Sequence, residues 1–251
     1  MNISKKIILI IVLVIFAFVA FLFISKNESS NTLTNKNFIT ANPIDLSQTE
    51  SISRFRGCVG HDYSGYNIDG EKETLRTMKH YITPTKEFER TKGKIVAYAP
   101  FNGRINSIDD DKGSQQISRG QQVWLEPLEA SRWYFIFFHI DLLDNFKKGS
   151  EIKSGELIGY ADLTNAANFD FIIKKSAGFK GPNTFISPFN HMVESVLEEY
   201  KAAGITPENI TYTKEFRDSN PCPIVPGTES KHDTLFPPGD GGDDWVKVGG
   251  V

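Results

Sequence analysis

Short hydrophobic runs alternate with polar and turn-forming positions through the middle of the chain, and this pattern predicts strands. The stretch GKIVAYAPFNGRINSI (93–108) predicts two short strands around a Pro-Phe-Asn-Gly turn. Between 146 and 161, FKKGSEIKSGELIGYA predicts turn, short strand, turn and strand. Further strands are indicated where β-branched and aromatic residues concentrate: QQVWLEPL (121–128), RWYFIFFHI (132–140) and NFDFIIKK (168–175). We therefore expect a mainly β fold, which the 19 phenylalanines also favour.

One segment late in the chain has helical rather than strand periodicity. In SPFNHMVESVLEEYKAAG (187–204), Pro188 suits a first helical turn and Gly204 suits a helix end. The sequence therefore predicts one late α-helix over residues 189–203. Its apolar side chains recur at helical spacing and form one face: Phe189, Met192, Val193, Val196, Leu197 and Tyr200.

The N-terminus carries an unbroken apolar run, residues 7–24, behind Lys5 and Lys6. Its 18 residues, at a rise of about 1.5 Å each in a helix, just cross the hydrocarbon core of a bilayer. Positive charge ahead of the run favours a cytoplasmic N-terminus and an extracytoplasmic remainder. We therefore expect residues 1–26 to be a single transmembrane helix that anchors the chain. A cleaved signal peptide is the alternative.

Composition divides the rest of the chain. Residues 27–50 are rich in Ser, Thr and Asn and predict a linker, whereas residues 226–251 are rich in Gly, Pro and Asp and predict a flexible tail. The folded domain should then occupy residues 51–225. The net charge of −3 gives no reason to expect nucleic acid as a partner.

The chain has two cysteines, Cys58 and Cys222. In an extracytoplasmic compartment they could form a disulfide that ties the start of the domain to its end. Two unrelated thiols are the alternative, and the sequence alone does not decide between them.

Three phrases together resemble the lysostaphin-type (LytM-like) zinc metallopeptidase domain: APFNGRI (99–105), YFIFFHID (134–141) and FKKGSEIKSGELIGY (146–160). The resemblance covers roughly residues 75–175. It implies a lysostaphin-like β-sandwich with a barrel-sandwich (duplicated hybrid) core. In the last phrase, Gly149 and Gly155 suit tight turns, and Gly159 suits a close backbone approach.

In that family an H-x-x-x-D motif and the second His of a late H-x-H hold zinc. The first His of the H-x-H and the His that ends the middle strand orient the attacking water. Carried over residue by residue, His139 matches the strand-end His, but Asn168 and Asp170 stand where the H-x-H is expected. His80 is the best match for the first ligand, and Pro84, four residues on, offers no ligand atom. The resemblance therefore implies a degenerate domain with His139 as a catalytic remnant, and we expect no metal.

A second cluster of reactive residue types precedes the strands, in RFRGCVGHDYSGYN (54–67). His61 and Asp62 could replace the missing zinc ligands, and a Cys-His pair also raises nucleophilic catalysis. If Cys58 is disulfide-bonded, the nucleophilic option is closed. The alternative is a glycine-rich loop that a disulfide and aromatic packing hold in place.

Three functions follow from these patterns. The first is a membrane-anchored, extracytoplasmic and non-catalytic domain that binds a peptide or cell-wall ligand, or a protein partner such as a wall hydrolase. Its groove would contain His80, His139, Asn168 and Asp170, with Tyr81 and Tyr134 as additions.

The second is an active zinc metallopeptidase (a peptidoglycan endopeptidase) that takes rearranged ligands from His61, His80, His139 and Asp170. The third is a carrier or adaptor domain of a membrane complex. Against the third, the pair Met78-Lys79 precedes the β core, whereas carriers present such a lysine on a turn between its halves.

Overall fold

The central hydrophobic segments form long antiparallel strands in the computed structural model, which describes residues 37–112, 118–178, 181–229, 234–237 and 243–249. The expected membrane anchor, residues 7–24, lies outside these residues. Among the described residues no helix is both long and apolar enough to cross a bilayer. Residues 37 onward form one compact unit.

The described part of the chain contains eleven strands and few helices. The strands are β1 (Thr49–Ser53), β2 (His80–Pro84), β3 (Lys92–Tyr98), β4 (Gly103–Lys112), β5 (Ser118–Pro127), β6 (Trp133–Leu142), β7 (Glu151–Ile152), β8 (Leu157–Asp162), β9 (Phe169–Lys175), β10 (Thr184–Ile186) and β11 (Trp245–Lys247). The α-helices are α1 (Glu194–Ala202), α2 (Pro207–Ile210) and α3 (Lys214–Ser219). Short 3-10 turns span Leu46–Gln48, Lys86–Phe88 and Pro188–His191. The mainly β prediction is confirmed.

All described strand pairs are antiparallel and belong to one hydrogen-bonded sheet with the order β11-β1-β2-β9-β6-β5-β4-β7. Strand β10 pairs with β9, and β8 joins β3 to β6. Strands β9 and β6 therefore lie at the centre of the sheet. This position explains why most of their residues are buried, since both of their faces are covered.

The two faces of these central strands have different surroundings. One face carries Phe135, Phe137 and Phe171, which contact one another. The 3-10 turn and α1 cover this face through Phe189 and Tyr200, whose rings lie 4.8 Å apart. The opposite face, which we call the site face, carries Ile136, Phe138 and Ile172 under a loop, residues 54–78.

Glycines fix the turns between the short strands as the sequence predicted. Gly149 and Gly155 have φ of 89° and 78°, a region that side-chain-bearing residues rarely adopt. At Gly159 a β-carbon would lie 2.3 Å from the carbonyl oxygen of Asp141 on the neighbouring strand β6. Only glycine lets β8 and β6 approach so closely.

The predicted helix 189–203 is shorter than expected, because tertiary contacts interrupt its start. Ile39 forms a bridge with Met192, and the carbonyl of Ile39 accepts the backbone N–H of Val193. This pairing holds Met192 and Val193 in an extended conformation, so α1 begins only at Glu194. The predicted end is confirmed, with Gly204 at φ 83° just after the helix.

Two segments expected outside the domain contribute to it. Within the predicted linker, Phe38, Ile39 and Ile44 are buried. Within the predicted tail, β11 pairs with β1 and buries Val246. Each contains a few apolar residues in a polar context, which is why composition alone assigned them to mobile segments.

Candidate functional site

Register places three side chains in one row on the site face. Tyr81 of β2 pairs with Asp170 of β9, which in turn pairs with Phe138 of β6. Side chains alternate along a strand, so Lys79, two residues before Tyr81, points to the same face. The loop 54–78 runs over this row, since the ring of Tyr63 meets that of Phe138 edge to face, with centroids 5.9 Å apart.

A buried ion pair lies at the centre of this row. The ammonium of Lys79 is 2.9 Å from Oδ1 of Asp170, and the two side chains are 3% and 0% exposed. Apart from this ion pair, neither oxygen of Asp170 has a hydrogen-bond partner among the described residues. The two charges therefore depend on each other for compensation, because water barely reaches either of them.

Aromatic rings surround the ammonium on its remaining sides. The Nζ atom of Lys79 lies 4.1 Å from the ring centroid of Phe138, 4.5 Å from that of Tyr63 and 5.1 Å from that of Tyr81. Ring faces attract cations, and this attraction strengthens when the cation is desolvated. Three rings and one carboxylate thus form a cage that Lys79 fills.

His139 reaches the cage from an irregularity in β6, where the β5–β6 register shifts. Its φ is 62°, and Gly120 lies so close that an added β-carbon would be 2.9 Å from the His139 carbonyl carbon. The Nδ1 atom is 2.9 Å from the carbonyl oxygen of Arg119, which can only accept, so Nδ1 donates. The Nε2 atom then faces Oδ2 of Asp170 at 3.8 Å.

His61 closes the cage from the loop. Its Nδ1 atom lies 3.2 Å from the hydroxyl of Tyr81. Burial, together with the positive charges of Lys79 and His139, lowers the pKa of His61 to about 4, although Asp170 opposes this shift. Burial also raises the pKa of Tyr81 well above its usual value. His61 and Tyr81 are therefore neutral at physiological pH.

Of the four groove residues predicted, the structure brings His139 and Asp170 together. Asn168 lies on the same face as Asp170, two residues away, and its Nδ2 donates to Oγ1 of Thr83 at 2.9 Å. His80 does not join them, because it points to the opposite face of β2. There its two ring nitrogens bond the carbonyl of Ser53 and the hydroxyl of Ser187, both at 2.7 Å.

The loop that carries His61 is held by the disulfide between Cys58 and Cys222, so the predicted pairing is confirmed. Both sulfurs are bonded, which closes the nucleophilic option at Cys58. Asp62 does not reach the cage: its Oδ1 accepts the hydroxyl of Ser64 and the N–H of Arg76. The loop contributes His61 and Tyr63 to the site.

Sequence reasoning missed two side chains of the site: Lys79, which fills the cage, and Tyr63, one of its three rings. From the sequence alone, Lys79 is considered only as an attachment lysine of a carrier domain. The available signal was the strand pattern itself, since a lysine two residues from Tyr81 must share its face of the sheet.

The cage does not fit a zinc ion. Within the described part of the chain, no group of three or more His, Cys, Asp or Glu side chains is arranged to hold a metal. The carboxylate best placed to act as a ligand, Asp170, already pairs with the ammonium of Lys79. A cation placed beside Asp170 would meet the positive charge of Lys79 at close range and be repelled.

Sequence comparisons returned no matches: no protein-family model matches the chain, and no curated protein matches it. Several solved structures are similar to part of it. One is a structure described as a glycyl-glycine endopeptidase, lytM, from Ruminococcus gnavus, to which this chain is 16% identical. The match covers 45% of this chain and 44% of that chain, with a TM-score of 0.34. This chain thus spans less than half the length of that structure.

Two further neighbours have similar scores. A structure of the SpoIIQ–SpoIIIAH pore-forming complex has 16% identity, covers 67% of this chain and 99% of its own, and has a TM-score of 0.39. Lysostaphin has 16% identity, covers 53% of this chain and 52% of its own, and has a TM-score of 0.31. At such identities and scores, these likenesses carry no conclusion about chemistry.

Proposed function

We propose that this protein is a non-catalytic binding domain with a degenerate lysostaphin-like fold, held on the outer side of a membrane by residues 7–24. Its ligand would be a peptide, either of a cell wall or of a protein partner. The single observation that carries the non-catalytic assignment is the ion pair between Lys79 and Asp170.

The reasoning starts from what metal-assisted hydrolysis requires. A catalytic zinc needs three protein ligands and an open position for water. Here the position beside Asp170 is taken by an ammonium that aromatic rings enclose on its other sides. An ammonium is a point charge without coordination sites, so it holds the carboxylate in place but cannot activate water.

Two features support an extracytoplasmic location. A disulfide persists in oxidising compartments, and Cys58–Cys222 is bonded. The apolar run of 18 residues behind two lysines has the length and charge order of an anchor. Alkaline extraction of membranes tests the anchor: the full-length chain should stay in the membrane pellet, and release into the supernatant would contradict it.

Zinc content tests the non-catalytic assignment against an active metallopeptidase that takes its ligands from His61, His139 and Asp170. The full-length chain, purified without chelators and dialysed against zinc, should contain no more zinc than its Asp170→Asn variant. About one zinc per chain in the wild type, lost in the variant, would establish a metal site and overturn the proposal.

A further inference from the structure

Beside the cage, half-buried aromatic side chains continue along the site face. Tyr63, Trp124, Tyr134 and Phe185, which we call the aromatic strip, pack on the buried cluster that contains Ile136 and Ile172. The ring centroids of Tyr63 and Phe185 are 5.1 Å apart, and those of Trp124 and Tyr134 are 5.6 Å apart. Because Tyr63 also lines the cage, the strip is continuous with it.

Lys174 lies within this strip. It pairs with Tyr134 on one side and with Phe185 on the other, so the three side chains form a row across β6, β9 and β10. Its ammonium is 4.3 Å from the ring centroid of Trp124. Among the described residues, no carboxylate lies within ion-pair distance of it.

The cation is partly desolvated, and the described part of the chain gives it no anionic partner. Its burial lowers the pKa of Lys174, as expected for a charge that loses water without gaining a counter-ion. Trp124, beneath it, has a buried indole N–H with no acceptor among the described residues. The nearby carboxylate of Glu126 is already paired, because Arg104 bonds it through two nitrogens at 2.9 and 2.7 Å.

We infer that Lys174 and the aromatic strip form a subsite for a peptide that carries a carboxylate, with the ammonium as the anchor and the rings as the apolar floor. This rests on the proposed binding function and specifies the chemistry of its ligand. A sugar ring would instead stack on an exposed aromatic face, but the ammonium of Lys174 covers the ring of Trp124.

The test is a fluorescence-anisotropy titration of the full-length chain with a short labelled alanine–glutamate peptide. The matched probe replaces each glutamate with glutamine. A charge-assisted hydrogen bond predicts that Lys174→Met weakens binding of the acidic peptide about tenfold and that Lys174→Arg retains it. The wild type should bind the glutamine peptide as weakly as Lys174→Met binds the acidic one.

Lys175→Met is the control, because Lys175 is the next residue on β9 but faces the opposite side, where its ammonium lies 5.0 Å from the ring of Trp133. It should bind like the wild type. Four outcomes would each overturn the inference. Both methionine variants could lose binding equally, or the wild type could bind the two peptides equally. The acidic peptide could fail to bind, or a neutral chito-oligosaccharide could displace it. A chelator in every titration removes any contribution from zinc, so this test and the zinc measurement can fail separately.

Discussion

Replacing Lys79 by methionine would remove the ammonium but keep most of the side-chain volume. The carboxylate of Asp170, which is 0% exposed, would then lose the ammonium at 2.9 Å, the closest cationic group among the described residues. At a separation of 2.9 Å the pair attracts by about 6 kcal/mol with an effective dielectric constant of about 20. Loss of one partner of a buried pair typically costs about 3–5 kcal/mol, and we expect that loss of unfolding free energy here.

Urea unfolding of the full-length chain measures this loss, and a second substitution separates charge from packing. Lys79→Met combined with Asp170→Asn removes both charges, and it should recover most of the lost free energy because an uncharged pair needs no countercharge. Lys201→Met is the matched control, since Lys201 bonds Glu194 and Glu198 at 2.8 Å but all three side chains are exposed. The control should unfold like the wild type.

Two outcomes would refute this reasoning. A loss below about 1 kcal/mol in Lys79→Met would mean that Asp170 does not depend on the ammonium, as expected only for a solvated pair. A double variant as unstable as Lys79→Met would mean that the loss comes from the packing of Lys79 against its three rings rather than from charge.

Two further predictions concern stability. The disulfide closes a loop with a sequence separation of 164, so serine at Cys58 and Cys222 should cost about 5 kcal/mol, and urea unfolding that reductant leaves unchanged would contradict this. Burial lowers the pKa of both His61 and His80 from 6.5 to about 4. Between these two pH values the unfolded chain therefore binds more protons than the folded chain. Stability should be full above pH 6.5 and fall towards pH 4, each histidine contributing up to about 1.4 kcal/mol per pH unit. In urea titrations across this range His61→Gln should reduce the slope, and an unchanged slope would contradict the assignment to His61.

The sheet was predictable to the extent that local pattern determines it. β6 and β9 coincide with the predicted strands 132–140 and 168–175, because aromatic and β-branched residues concentrate in both stretches. The start of α1 was not predictable, because it depends on a bridge from Ile39, more than 150 residues earlier in the chain. Helical periodicity at Met192 carries no trace of that contact.

The site was predictable only in part, for a reason specific to strands. Successive side chains of β2 point to opposite faces. A sequence interpretation that places His80 on the site face therefore places its neighbours Lys79 and Tyr81 on the other face, whereas the structure has the reverse. Nothing in the short apolar sequence around β2 decides between the two assignments. The pairing of Tyr81 with Asp170 decides it, and this pairing joins segments about 90 residues apart.

The cage connects stability to the proposed function through one requirement, the compensation of a buried carboxylate. Asp170, buried near the start of β9, needs a cation nearby, and Lys79 provides one without a metal. The rings that stabilise this ammonium also cover it, and the side chain of His139, at the edge of the ion pair, is 15% exposed. A ligand therefore has no access to Asp170 itself. On the proposed binding function a ligand would bind beside the cage, where the rings of the aromatic strip are half-buried and Lys174 has a charge that no described carboxylate matches.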